Sequence, residues 1–217
     1  MRKPLPVFLL FLTLAVKAQE PFKYRMQFDI AGGGTLFNVP NSVAIADNPQ
    51  AFGICLGLDA LASVKGPFSI GLSFLHHQYA TDDAGTDNTQ FLEAKSSSFQ
   101  FIAQYHLIDK KRINVCVGTG VGVHSFDYDR IDVVDSVSYT GHVKLKGPAF
   151  MANLQVRYYF IKNLGLFLRP QFLVYGGKMD EFVINGQSYE RIEGKHIDDI
   201  IYSFRGTSVQ FGLSLRF

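Results

Sequence analysis

The chain has no tryptophan, only two cysteines, and one long apolar run, Val7 to Val16, close to its start. A membrane-spanning helix needs about 20 apolar residues, so no segment reads as one and a helical membrane protein is excluded. Charge is scarce as well, at 18% Asp, Glu, Lys and Arg. What is abundant instead is glycine and aromatics, with 20 Gly, 20 Phe and 10 Tyr. That mixture suits many short strands joined by turns.

The first residues read as a targeting segment. Arg2 and Lys3 give a basic start, the apolar run follows, and Val16-Lys17-Ala18 is a small-residue cleavage site before Gln19. Residues 1–18 are therefore expected to be a signal peptide and residues 19–217 one exported domain. No cysteine follows the cleavage site to carry a lipid anchor. The segment contains Arg2, Lys3 and Lys17 and no acid, so its removal takes the formal charge from +2 to −1. No basic stripe remains to bind nucleic acid.

The C-terminal stretch GTSVQFGLSLRF organises the rest. Val209, Phe211, Leu213, Leu215 and Phe217 fall on one face, and Ser208, Gln210, Gly212, Ser214 and Arg216 on the other. An uncharged-polar face opposite an apolar one, ending on an aromatic residue, is the pattern of a closing barrel strand. The same alternation predicts seven more strands, at 24–34, 51–61, 68–79, 96–107, 113–126, 147–160 and 166–176. Connections alternate in length, with long loops at 35–50, 80–95, 127–146 and 177–205. The fold class is thus all-β, an eight-stranded antiparallel up-and-down transmembrane barrel with short turns at the periplasmic end and long loops outside. Tyr24, Tyr105, Tyr158 and Phe160 are expected in one aromatic girdle, and Tyr79, Phe126 and Tyr175 in the other.

An eight-stranded barrel can also be soluble, with an apolar cavity and a wet exterior. A water-facing surface would carry many Lys and Glu, whereas the polar face here is mostly Ser, Gly, Gln and Asn. The membrane orientation follows. From the signal ending Ala18-Gln19, the paired strands and the GLSLRF terminus, the chain resembles the small outer-membrane barrels of OmpA/OmpX-like architecture and, more weakly, the PorT-like barrel family. Such families include structural, adhesive, secretion-associated and enzymatic members, so the resemblance implies a fold and a location without fixing a function. The lipocalins, the soluble alternative, open on a Gly-x-Trp that this chain lacks.

Among candidate residues, Arg25, Asp29, Asp59, Arg157, Arg169 and Arg216 form a lumen-facing charged set. They are read as pairing with each other and with the inward Gln residues to hold a plugged barrel together, because eight strands leave barely enough width for side chains; an ionic gate or a weak anion-selective lining is the other reading. Cys55 and Cys116 are expected as free packing residues on non-adjacent strands. His76, His77 and His124 lie beside Ser73 and Ser125, but His124 and Ser125 point to opposite faces and no Gly-x-Ser-x-Gly occurs. The aspartates at 82, 83 and 87 and at 127, 129, 132 and 135 lack the pattern of a calcium loop. No cofactor or metal is expected.

Phe182 to Tyr189 flank an Asn185-Gly186 hairpin signal. This ribbon either presents an edge or Tyr189 to a protein partner, or shields the barrel mouth. The overall reading is a monomeric, non-enzymatic barrel in contact with outer-membrane lipid, its external loops available for structural or interaction roles. A lipid-A-modifying barrel enzyme and a soluble lipocalin-like binder are the alternatives. Protein from a separated outer-membrane fraction should migrate differently on a gel before and after boiling; a soluble periplasmic protein without that shift would invert the assignment of faces.

Overall fold

A strand with one apolar and one polar face needs a sheet that separates two environments, and in lipid that sheet must have no free edge. The computed structural model describes residues 25–38, 50–64, 66–80, 89–134, 137–192, 195–199 and 201–217. The segment 1–18 expected to be a signal peptide, and Tyr24, lie outside these residues. Seven long strands come first: β1 (Met26–Asn38), β2 (Gln50–Ser63), β3 (Phe68–Ala80), β4 (Thr89–Asp109), β5 (Ile113–Val134), β6 (Val137–Tyr159) and β7 (Leu164–Ile184). Three two-residue strands follow, β8 (Gln187–Ser188), β9 (Arg191–Ile192) and β10 (Lys195–His196), then a 3-10 turn at Ile197–Asp199 and β11 (Ile201–Arg216).

Each long strand pairs antiparallel with the next, and β11 pairs with both β7 and β1. The ring of eight long strands is therefore closed. Its seam runs from Gln27↔Arg216 through Ile30↔Leu213 to Phe37↔Gly206, and the Arg25 amide donates to the Phe217 carbonyl at 2.6 Å. Within the apolar band the face assignments hold on every long strand, Arg25 before β1 being the exception. Phe52, Ile54, Leu56 and Leu58 are exposed, while Cys55 and Asp59 are buried. On β6, Phe150, Leu154, Val156 and Tyr158 are exposed, and Asn153, Gln155 and Arg157 are buried between them. This apolar exterior matches the about 9–11 residues of a tilted strand crossing a bilayer.

Strand lengths differ from the expectation. The segment 127–146 is not a loop: β5 and β6 stay in register from Ile113↔Tyr158 to Val134↔Val137. β4 begins at Thr89, β7 continues to Ile184, and the segment 177–205 is divided among β7, the short strands and the start of β11. The reason is an inversion of polarity. Above the apolar band the outward positions become charged, as at Asp127, Lys144 and Lys146, while the inward ones become apolar: Phe126, Tyr128, Val143, Leu145 and Met179 are all buried. Strand periodicity persists with its faces exchanged, so a rule that follows the lipid-facing residues stops too early. Asn185 and Gly186, at φ 49° and 79°, form the turn from β7 into β8, the pairing of positive φ values that a type I′ turn needs.

The proposed outer girdle is corrected by the same parity. Tyr79, Phe126 and Tyr175 are at most 1% exposed and point into the barrel; each shares its strand's inward face with His77, His124 and Leu173. Tyr158 and Phe160, by contrast, are exposed near the short turns.

At Gly212 the neighbouring strand and an aromatic ring approach closely. A Cβ there would meet the Ile30 carbonyl oxygen and come within 2.7 Å of the Phe167 ring. Gly212→Val is expected to destabilise the barrel by about 1–3 kcal/mol, read as a lower urea midpoint for loss of the unboiled gel form.

Candidate functional site: the filled lumen

The barrel interior is built in layers from the inward residues of every strand. Toward the short-turn end lie the charges. Asp29 on β1 and Asp59 on β2 are cross-strand neighbours, a like-charge contact that is unfavourable by itself. Each is answered from the opposite wall. Arg157 on β6 donates from Nη2 to Asp29 at 2.9 Å, both side chains fully buried, and Arg169 on β7 pairs with Asp59, also fully buried.

Amides complete the coordination, as buried ions require. Arg157 also donates to Asn114 Oδ1 at 2.8 Å, Gln104 Oε1 at 3.0 Å and Gln155 Oε1 at 2.8 Å. Gln27 and Gln155 each donate to Asp29 at 3.0 Å, and Arg169 Nε donates to Gln210 at 2.8 Å. The two ion pairs are struts across the lumen.

The remaining two arginines of the charged set are placed differently. Arg216 is buried, but its partners are main-chain carbonyls of two short turns, Lys162 at 3.0 Å and Lys111 at 2.7 Å. Its guanidinium also lies 3.5 Å from the centre of the Tyr159 ring. Through these main-chain contacts it ties the turn end of the barrel together. Arg25 is exposed at the rim and outside the lumen, because it precedes β1 and the alternation that would turn it inward has not begun.

Next to the struts stands a trio with the spacing of a nucleophilic triad, formed by residues the sequence reading did not connect. Ser69 Oγ lies 2.8 Å from His106 Nε2, and His106 Nδ1 lies 2.8 Å from Asn114 Nδ2. Proton bookkeeping decides its role. The Arg157 guanidinium can only donate, so the Asn114 oxygen must face it. The Asn114 amide nitrogen then donates to Asp109 at 3.1 Å and to His106 Nδ1. That leaves the His106 proton on Nε2, donating to Ser69, so the imidazole cannot take the serine proton as a general base would. The trio is a hydrogen-bonded brace. Its only signal in the sequence is that all three residues fall on the inward face near strand ends.

Toward the long-loop end the lumen becomes aromatic. Tyr175 and Phe204 ring centres are 5.2 Å apart, Phe126 and Phe204 5.3 Å, and His124 and Tyr175 4.6 Å. Tyr79, Tyr128, Val143, Leu145, Met179 and Phe182 continue the same buried cluster, and Ile197 of the 3-10 turn packs against it. Cys55 and Cys116 are free and buried in the lumen. Among the described residues, no three His, Cys, Asp or Glu side chains are grouped to hold a metal ion.

On the outer surface His76 Nδ1 lies 2.9 Å from Ser97 Oγ. The other cross-strand neighbour of His76 is Leu56, so no carboxylate orients the ring from that side. Asp127 and Asp129 face outward and contact Lys144 at 3.9 Å and His142 at 2.7 Å.

Removing one partner of a buried ion pair strands the other. Arg157→Met should cost about 3–5 kcal/mol in urea unfolding, whereas the double variant Asp29→Leu/Arg157→Met should recover most of that loss. Equal losses in both would assign the effect to packing alone.

No family model matches the chain, and no curated protein matches it by sequence. Solved structures do. Neisserial surface protein A superposes with a TM-score of 0.54 at 9% identity, covering 88% of this chain and 97% of that one. A major outer membrane protein from Thermus thermophilus gives 0.51 at 11% identity, covering 88% and 99%. The outer membrane protease OmpT from Escherichia coli gives 0.50 at 8% identity, covering 92% and 100%. The fold of this chain is therefore that of the small outer-membrane β-barrels, OmpA/OmpX-like in its closed ring of eight antiparallel strands.

Proposed function

We propose that the protein is a non-enzymatic barrel of the outer membrane whose lumen is plugged and whose role lies in what it presents beyond the lipid. The observation that carries this reading is the filling of the lumen from both ends. Two fully buried arginine–carboxylate struts cross one half, and a buried aromatic cluster with Ile197 packed on it occupies the other. A solute path would have to break ion pairs and displace close-packed rings together, and neither is a wet, flexible lining of the kind that conducts.

The non-enzymatic part rests on the chemistry of the two serine–histidine contacts. Ser69 accepts a hydrogen bond from its histidine, and Leu56, the other cross-strand neighbour of His76, brings no carboxylate to orient that ring. The alternative, a lipid-A-modifying enzyme, has no assembled nucleophile, base and orienter among the described residues.

The part beyond the lipid is a wall made by the upper halves of β5, β6 and β7. Its inner face is covered by the aromatic cluster as far as Val143; nearer the β5–β6 turn Val137 and Tyr139, on the same parity, are exposed, as is Tyr189 just after β8. These side chains are the surface on which a protein partner would act.

In planar bilayers the purified barrel is expected to give no stable single-channel current, and its expression should leave the mass of lipid A unchanged. Large, steady currents would refute the plug, and a mass change would establish the enzyme instead.

A further inference from the structure

The outer surface of β3 to β6 changes character row by row. Phe74, Phe99, Val123 and Pro148 are successive cross-strand partners, as are His76, Ser97, Ser125 and Lys146 one row up, and Gln78, Lys95, Asp127 and Lys144 above that. Apolar, hydrogen-bonding and charged rows thus follow one another within five residues of each strand, the order in which acyl chain, polar linkage and ionic headgroup follow one another in a lipid.

A groove of about 550 Å³ spans the first two of these rows, lined by Phe74, Phe99 and Val123 below and by Ser97, Ser125 and Lys146 above. A second groove of about 470 Å³, between Ile70, Leu72, Phe101 and Val121 with Ala103 and Thr119, has no charged residue on its wall. The second can take any hydrocarbon tail. The first has partners for a head as well.

We propose that the first groove is a binding site for a phosphorylated acyl lipid of the outer leaflet, with one acyl chain between Phe74, Phe99 and Val123 and the phosphate on Lys146. Ser97 and Ser125 face the ester or amide linkage between the two. Charge favours an anionic head. Lys95, Lys144, Lys146 and Lys178 are clustered by cross-strand pairing, with Asp127, Asp180 and Glu181 among them. Lys146 contacts Asp180 at 2.7 Å, yet its side chain remains 55% exposed, so a phosphate can join the pair without burying an unpaired charge. His76, held on Ser97 at 2.9 Å, fixes that hydroxyl at the groove's upper edge. The inference rests on the membrane placement proposed above.

The test is native mass spectrometry of the folded barrel in neutral detergent, titrated with bis-phosphorylated lipid A and, in parallel, with uncharged diacylglycerol. Lipid A should bind in preference to diacylglycerol. Lys146→Met and Val123→Trp should each lower the lipid A affinity about fivefold, while Lys162→Met at the opposite rim should not. Equal lipid A binding by wild type and Lys146→Met, or equal binding of the neutral lipid, would overturn the site. The heat-dependent gel shift is read on the same samples. If the shift is present and the lipid results fail, the groove proposal alone is wrong; if wild type shows no shift, the membrane placement fails with it.

Discussion

Hydrocarbon offers no hydrogen bonds, and the closed ring of this barrel follows from that constraint. A strand crossing lipid must find both of its backbone ladders in other strands, each unpaired group otherwise costing several kcal/mol. Closure of β11 on β1 is the step that satisfies it, and with it the register of the whole ring is set. Because side chains alternate, fixing the register also fixes which residues share the lumen. The struts, the serine–histidine brace and the aromatic cluster are consequences of that one pairing.

Two solvents act on the same strands. Where lipid surrounds the barrel the outward residues are Phe, Leu, Ile and Val and the inward ones Gln, Asn, Asp and Arg. Where water surrounds it the assignment reverses, with Lys144, Lys146 and Asp127 outside and Tyr128, Val143 and Leu145 inside. The upper half therefore has a conventional hydrophobic core, stabilised by removing apolar area from water, while the lower half is held by directional polar contacts. The two halves should respond differently to solvent, the first to anything that weakens apolar burial and the second to loss of a single partner.

The polar half illustrates why buried charge demands completeness. Asp29 and Asp59 adjoin on neighbouring strands, an arrangement that is tolerable only because an arginine from the opposite wall reaches each of them. Arg157 in turn fixes the orientation of the Asn114 amide, and Asn114 fixes the tautomer of His106. One guanidinium thus decides, through two intermediates, that Ser69 is a hydrogen-bond acceptor and not a nucleophile. A triad-like spacing is chemically silent when the protons are in the wrong places.

The sequence by itself determined the barrel, because period-two alternation is a local property that a strand displays whatever its neighbours. It also placed Asp29, Asp59, Arg157, Arg169 and Arg216 on the inward face for the same reason, and it misplaced Arg25 because strand ends are not marked by alternation. It did not reveal where β4 to β7 leave the membrane, since the faces exchange roles there and the apolar residues it followed disappear from one side and reappear on the other. Nor did it foresee that Arg157 meets Asp29 and Arg169 meets Asp59, that Arg216 finds carbonyls, or that Tyr79, Phe126 and Tyr175 meet inside. Those partnerships cross the lumen between strands far apart in the chain. Only closure of the ring, a long-range event with no local signal, brings them within reach.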